Sequence, residues 1–113
     1  MEIKIIKDKI SLEKLKKMAE SQFIEMIKAV VDTERSIMTV GGDLHADEEA
    51  LLLDNGSKQE NLWGINIYFE GADIIEFDSM INIRPSQGSR SRGVESKEIQ
   101  EKIREIVNKL VIR

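Results

Sequence analysis

Cysteine is absent from the 113-residue chain, which excludes disulfides, thiolate metal sites, cysteine nucleophiles and thiol redox chemistry. Histidine occurs once, so no HxH or HExxH metal spacing can arise. Proline also occurs once and aromatic residues make up 4%, too few to interleave with basic residues as a stacking surface for nucleic-acid bases. No apolar run approaches the roughly 18 residues of a membrane span. The first ten residues alternate charge with isoleucine and lack the apolar centre of a signal peptide, so the expected location is the cytoplasm and no membrane partner is expected.

What is present is charge. Charged residues make up 34% and hydrophobic residues 41%, the balance of a soluble globular chain whose surface is more charged than the roughly 25% usual for such proteins. Two domains would each be too small to build a core without disulfides or metals, so one domain over 1–113 is expected. The net charge of -4 opposes binding to nucleic acid, and any anion recognition has to come from a focused patch.

Spacing divides the chain into elements. Glu2 to Ile6 reads as a strand, and Ser11 as the N-cap of a helix carrying Leu12, Leu15, Met18 and Ala19 at helical intervals. Ile27 to Val31 and Ile37 to Val40 read as a hairpin around Asp32–Ser36, ended by Gly41 and Gly42. A short helix is expected from Ala46 to Leu53, closed by Asn55 and Gly56. Leu62 to Phe69 alternates with Trp63, Ile65 and Ile67 on one face, and Ile74 to Arg84 continues with Ile75, Phe77, Ser79, Ile81 and Ile83 on one face. Pairing Phe69 with Ile75 sets Ile67 opposite Phe77 and Trp63 opposite Ile81, and aligns Tyr68 with Glu76 and Asn66 with Asp78. Ser96 starts a last helix with an apolar stripe of Ile99, Ile103, Ile106, Val107 and Leu110. The fold class is α+β: two layers, a largely antiparallel sheet and helices mainly on one face.

The sharpest candidate for binding is Arg84 to Gly93. Pro85 ends the preceding strand, while Gly88 and Gly93 permit turns that other residues resist. Arg84, Arg90 and Arg92, with Ser86, Gln87 and the backbone at Gly88, can present guanidinium forks and unpaired N–H groups to one phosphate or carboxylate. Pairing of these arginines with the protein's own carboxylates is the bland reading and carries the greater weight. The glycine spacing fits neither the P-loop nor the dinucleotide fingerprint, and no cofactor is indicated.

A second constellation is Gly41 to Glu49. Asp43, His45 and Asp47 offer donors for a divalent cation, or His45 can act as a general base. The plainer reading is a helix start, with acidic residues at the positive end of the dipole and Asp43 or His45 as cap. Glu76 and Asp78, two residues apart, read first as the wet side of an antiparallel sheet. Trp63 reads as core.

The segments GGDLHADEEALLL, LWGINIY and FDSMINIRPSQGSRSRGV together resemble a small prokaryotic family known as a domain of unknown function. The resemblance implies a prokaryotic origin and a compact soluble domain, and supplies no activity, cofactor or catalytic residue. Ser89 stands where that family pattern has Asn.

The functional expectation is a binding module for a small anionic ligand or an acidic protein partner at the arginine loop. The alternatives are a metal-assisted hydrolase using Asp43, His45 and Asp47, and a structural homodimer or larger homo-oligomer that covers its sheet edges.

Overall fold

A computed structural model of the chain describes residues 2–19 and 25–113. In chain order its elements are β1 (Lys4–Ile6), β2 (Ile10–Ser11), α1 (Leu12–Ala19), β3 (Met26–Asp32), β4 (Ile37–Val40), α2 (His45–Asp54), β5 (Leu62–Tyr68), β6 (Ile75–Glu76), α3 (Lys97–Leu110) and β7 (Val111–Ile112). The main sheet runs β1-β4-β3-β5-β6 with every neighbouring pair antiparallel. β2 and β7 form a separate parallel pair, which two-residue strands cannot announce through periodicity. The fold is α+β with a mainly antiparallel sheet.

Alternation sorts the strand residues between two cores. Ile27, Ala29 and Val31 of β3, Met38 and Val40 of β4, and Trp63, Ile65 and Ile67 of β5 meet α1 and the Ile103, Ile106, Val107 and Leu110 stripe of α3. Val30, Ile37 and Leu62 point the other way and bury Leu52 of α2 in a smaller cluster. β3 shows little alternation in sequence because both of its faces are covered there. Ser11 and Ser96 start α1 and α3 as expected, their hydroxyls accepting from Lys14 N–H at 3.0 Å and Ile99 N–H at 3.2 Å. α2 starts without a side-chain cap: Leu44 occupies the cap position, so neither Asp43 nor His45 takes that role.

The edge strand β6 departs from its expected course. Pairing sets Ile67 opposite Ile75 and Asn66 opposite Glu76, two residues away from the expected register. A two-residue slip leaves every side chain on its face, so alternation is blind to it. The strand also ends after Glu76, and Met80–Asn82 form a 3₁₀ turn. Beyond that break Ile81 packs on the small cluster, while Ile75 and Phe77 belong to the large one.

Asn82 takes over where the strand leaves off. Its Oδ1 accepts from Gly64 N–H at 2.8 Å, and its Nδ2 donates to Gly64 O at 3.0 Å and to Arg92 O at 2.9 Å. One side-chain amide thereby satisfies both main-chain groups of a central β5 residue, which lets the chain turn away from the sheet without stranding buried polar groups.

Candidate functional site

Among the described residues, the face of the sheet away from α3 is only partly covered. Met26 and Lys28 of β3 and Asn66 and Tyr68 of β5 form a floor, Leu44, His45 and Ala46 at the start of α2 form one wall, and Glu76, Asp78, Ser79, Met80 and Ile81 with Arg92 form the other. They surround an open cavity of about 540 Å³.

His45 is fixed from below. Its Nε2 lies 2.7 Å from Ile65 O, and because a carbonyl only accepts, Nε2 carries the hydrogen and Nδ1 is the acceptor of the neutral ring. Burial holds its pKa below the usual histidine value, aided by the charges of Lys28 and Arg92, while the Ile65 hydrogen bond and Asp78 act in the opposite sense. Room for this arrangement comes from Gly64, where a Cβ would stand 2.5 Å from Ser79 Cβ and Oγ and 3.2 Å from His45 Cδ2. No hydrogen bond joins His45 to a hydroxyl or carboxylate among the described residues, so no nucleophile–base pair is assembled here.

The opposite wall carries charge. Glu76 Oε1 accepts from Asn66 Nδ2 at 2.9 Å and from Tyr68 Oη at 3.1 Å, and that bond to a carboxylate raises the Tyr68 phenol above its ordinary pKa. Asp78 Oδ1 accepts from Arg92 Nε at 2.7 Å. Glu76 and Asp78 thus line a cavity, a role their spacing alone did not favour.

The three arginines of the loop lie in three environments. Arg84 is buried, donating to Gln59 O and, at 2.7 Å, to Leu62 O, with its guanidinium 4.2 Å from the Trp63 ring centroid. Burial lowers its pKa, and Glu49 is the carboxylate that acts against this. Arg92 reaches the cavity, and Arg90 is exposed without an ion pair among the described residues. The loop itself is a closed turn: Arg84 N–H donates to Ser89 O, while the N–H groups of Gln87, Gly88 and Ser89 donate to Arg84 O, Pro85 O and Arg84 O. Gly88 takes φ +82°, a left-handed conformation that a residue with Cβ resists. These backbone donors are therefore used inside the loop. Ser86 is exposed, and Gln87, Gly88 and Ser89 border a separate cavity of about 280 Å³ that also has Glu60 and Glu95 on its wall.

Asp43, His45 and Asp47 are not brought together. His45 and Asp47, two apart in α2, point about 200° away from each other, and Asp43 lies before the helix; both aspartates are exposed while His45 turns under α2. Among the described residues no group of three or more His, Cys, Asp or Glu side chains could hold a metal ion.

Sequence reasoning missed Lys28 and Ser79, which line the cavity, and Glu48, which is buried outside it. Glu48 is fully buried on α2, its Oε2 accepting from Gly42 N–H at 3.1 Å and its Oε1 lacking a partner. Burial pushes its pKa up to about 9. The one available signal was an acidic residue at the helical interval that also places Leu52, four positions on, in the core.

The fold and cavity define a small α+β protein built on a five-stranded antiparallel sheet with a mixed-charge recess on its open face. Residues 4–110 match the family described as protein of unknown function, DUF5674, and the chain belongs to that family. No curated protein and no solved structure matches it. No helix among the described residues is long and apolar enough to cross a membrane.

Proposed function

We propose that the protein is a binding module for a small ligand bearing an anionic group, seated in the 540 Å³ cavity and not in the loop as a whole. The carrying observation is convergence: Arg92, Lys28 and the uncapped start of α2 all border that space. A guanidinium offers a directed fork to a carboxylate or phosphate, and free N–H groups at a helix start favour negative charge. Volume agrees, since small-molecule sites usually measure roughly 300–1,000 Å³. The test is thermal unfolding with acetate, succinate, phosphate and sulfate. At least one anion should raise the melting temperature through linkage, Arg92→Ala should remove the gain, and Arg90→Ala should keep it. Absence of any shift, or a shift indifferent to Arg92→Ala, defeats the proposal.

A further inference from the structure

We propose that the ligand is a small zwitterion with an apolar body, the chemistry of a free apolar α-amino acid. This rests on the reading of the cavity as an anion-binding recess and names the ligand class.

Charge balance is the first argument. The ionic side chains on the wall are Lys28 and Arg92 against Glu76 and Asp78, beside a histidine whose surroundings favour its neutral form. A recess of balanced sign gives little advantage to a multiply charged anion. It suits a molecule that presents both signs at once, because each pole then meets its complement when water is displaced.

The acceptor pole is identifiable. Both donors that reach Glu76 use the same oxygen, Oε1, which leaves Oε2 without a hydrogen bond among the described residues. Asn66 is 5% exposed, and its Oδ1 is buried with no partner. The orientation of that amide is set chemically: an ionised carboxylate only accepts, so nitrogen must be the atom turned to Glu76, and oxygen is left as an acceptor. An ammonium group supplies the three donors that Glu76 Oε2 and Asn66 Oδ1 lack. Arg92, on the same wall with its Nε bonded to Asp78, and the start of α2 on the facing wall provide the donor pole for a carboxylate.

The rim is apolar. Leu44 and Met80 are 60% and 65% exposed, and both border the cavity with Met26 and Ile81. Large apolar side chains held open at the mouth of a charged recess fit a ligand whose charged end enters and whose hydrocarbon part stays near the opening.

The experiment is calorimetric titration and thermal unfolding of the full chain with leucine, methionine and phenylalanine, and with three relatives of leucine. N-acetyl-leucine lacks the ammonium, 3-methylbutylamine lacks the carboxylate and glycine lacks the apolar body. We expect one apolar amino acid to bind at least ten-fold more tightly than its counterpart lacking any one of the three groups. Glu76→Gln, at an exposed position, should cancel leucine's advantage over N-acetyl-leucine, whose own binding should not weaken. Equal binding of N-acetyl-leucine and leucine overturns the zwitterion and leaves the anion-binding reading intact. Equal binding of 3-methylbutylamine and leucine overturns both. Equal binding of glycine overturns the apolar body. If simple anions shift the melting temperature and no amino acid does, this inference alone falls.

Discussion

Asn82 stands in for a missing strand beside Gly64, holding its N–H at 2.8 Å and its carbonyl at 3.0 Å. This contact permits the chain to leave the sheet after Glu76, and by leaving, to raise the wall of Asp78, Ser79 and Met80 against which the cavity forms.

Removing the Asn82 amide should therefore unpair both buried main-chain groups of Gly64, while Arg92 O keeps the Ser79 N–H. Asn82→Ala is expected to cost about 2–4 kcal/mol, at the upper end for single substitutions because two buried main-chain groups lose their partner together. Urea unfolding measures the loss, and hydrogen exchange at the Gly64 amide should accelerate. An unchanged exchange rate would contradict the role assigned to Asn82.

Arg84 should matter for stability and not for ligand. Its guanidinium is held by Gln59 O and Leu62 O and covers Trp63, so Arg84→Ala is expected to destabilise by about 2–4 kcal/mol. Anion affinity, measured well below the melting temperature, should stay within two-fold, roughly 0.4 kcal/mol.

Glu48 gives stability a pH dependence of unusual sign. The folded protein keeps its proton up to about pH 9, whereas the ordinary carboxyl value is 4.5. Its contribution is thus fullest below about pH 4.5 and falls as pH rises toward 9. The slope should approach about 1.4 kcal/mol per pH unit in that window. Glu48→Gln should flatten it, as followed by urea unfolding at pH 5 to 9.

His45 works in the reverse direction. A pKa below the usual 6.5 means that its contribution is present above 6.5 and lost as pH falls through the folded value. Since the chain has a single histidine, its NMR titration is unambiguous. The imidazole signals should titrate below 6.5, with the hydrogen on Nε2 in the neutral form. A midpoint above 6.5 would refute the buried setting.

Gly64 should not tolerate a methyl group. With Ser79 Cβ and Oγ at 2.5 Å from the added Cβ, Gly64→Ala should cost about 1–3 kcal/mol as overpacking. Adding Ser79→Gly should recover part of the loss in the same denaturation assay.

The sequence by itself determined the elements that have a period. The stripe of α3, the caps Ser11 and Ser96, and the two faces of β5 all follow from local spacing, because a helix or strand of that pattern has one way to bury its apolar side. Strand register did not follow, since slips of two residues preserve every face. The β2–β7 pair and the break after Glu76 were equally hidden: the first is too short for a pattern, and the second depends on Asn82 reaching Gly64 across 18 positions of sequence.

The same division runs through the site. Arg84, Arg90 and Arg92 look alike as residue types within one short loop, yet only tertiary structure sends the first into the interior, the second to solvent and the third to the cavity. His45 was visible as the lone histidine, but not the Ile65 carbonyl that fixes its ring. Local patterning selects which face of an element is buried; what stands opposite that face is decided by contacts between distant segments, and there the chemistry of the recess is made.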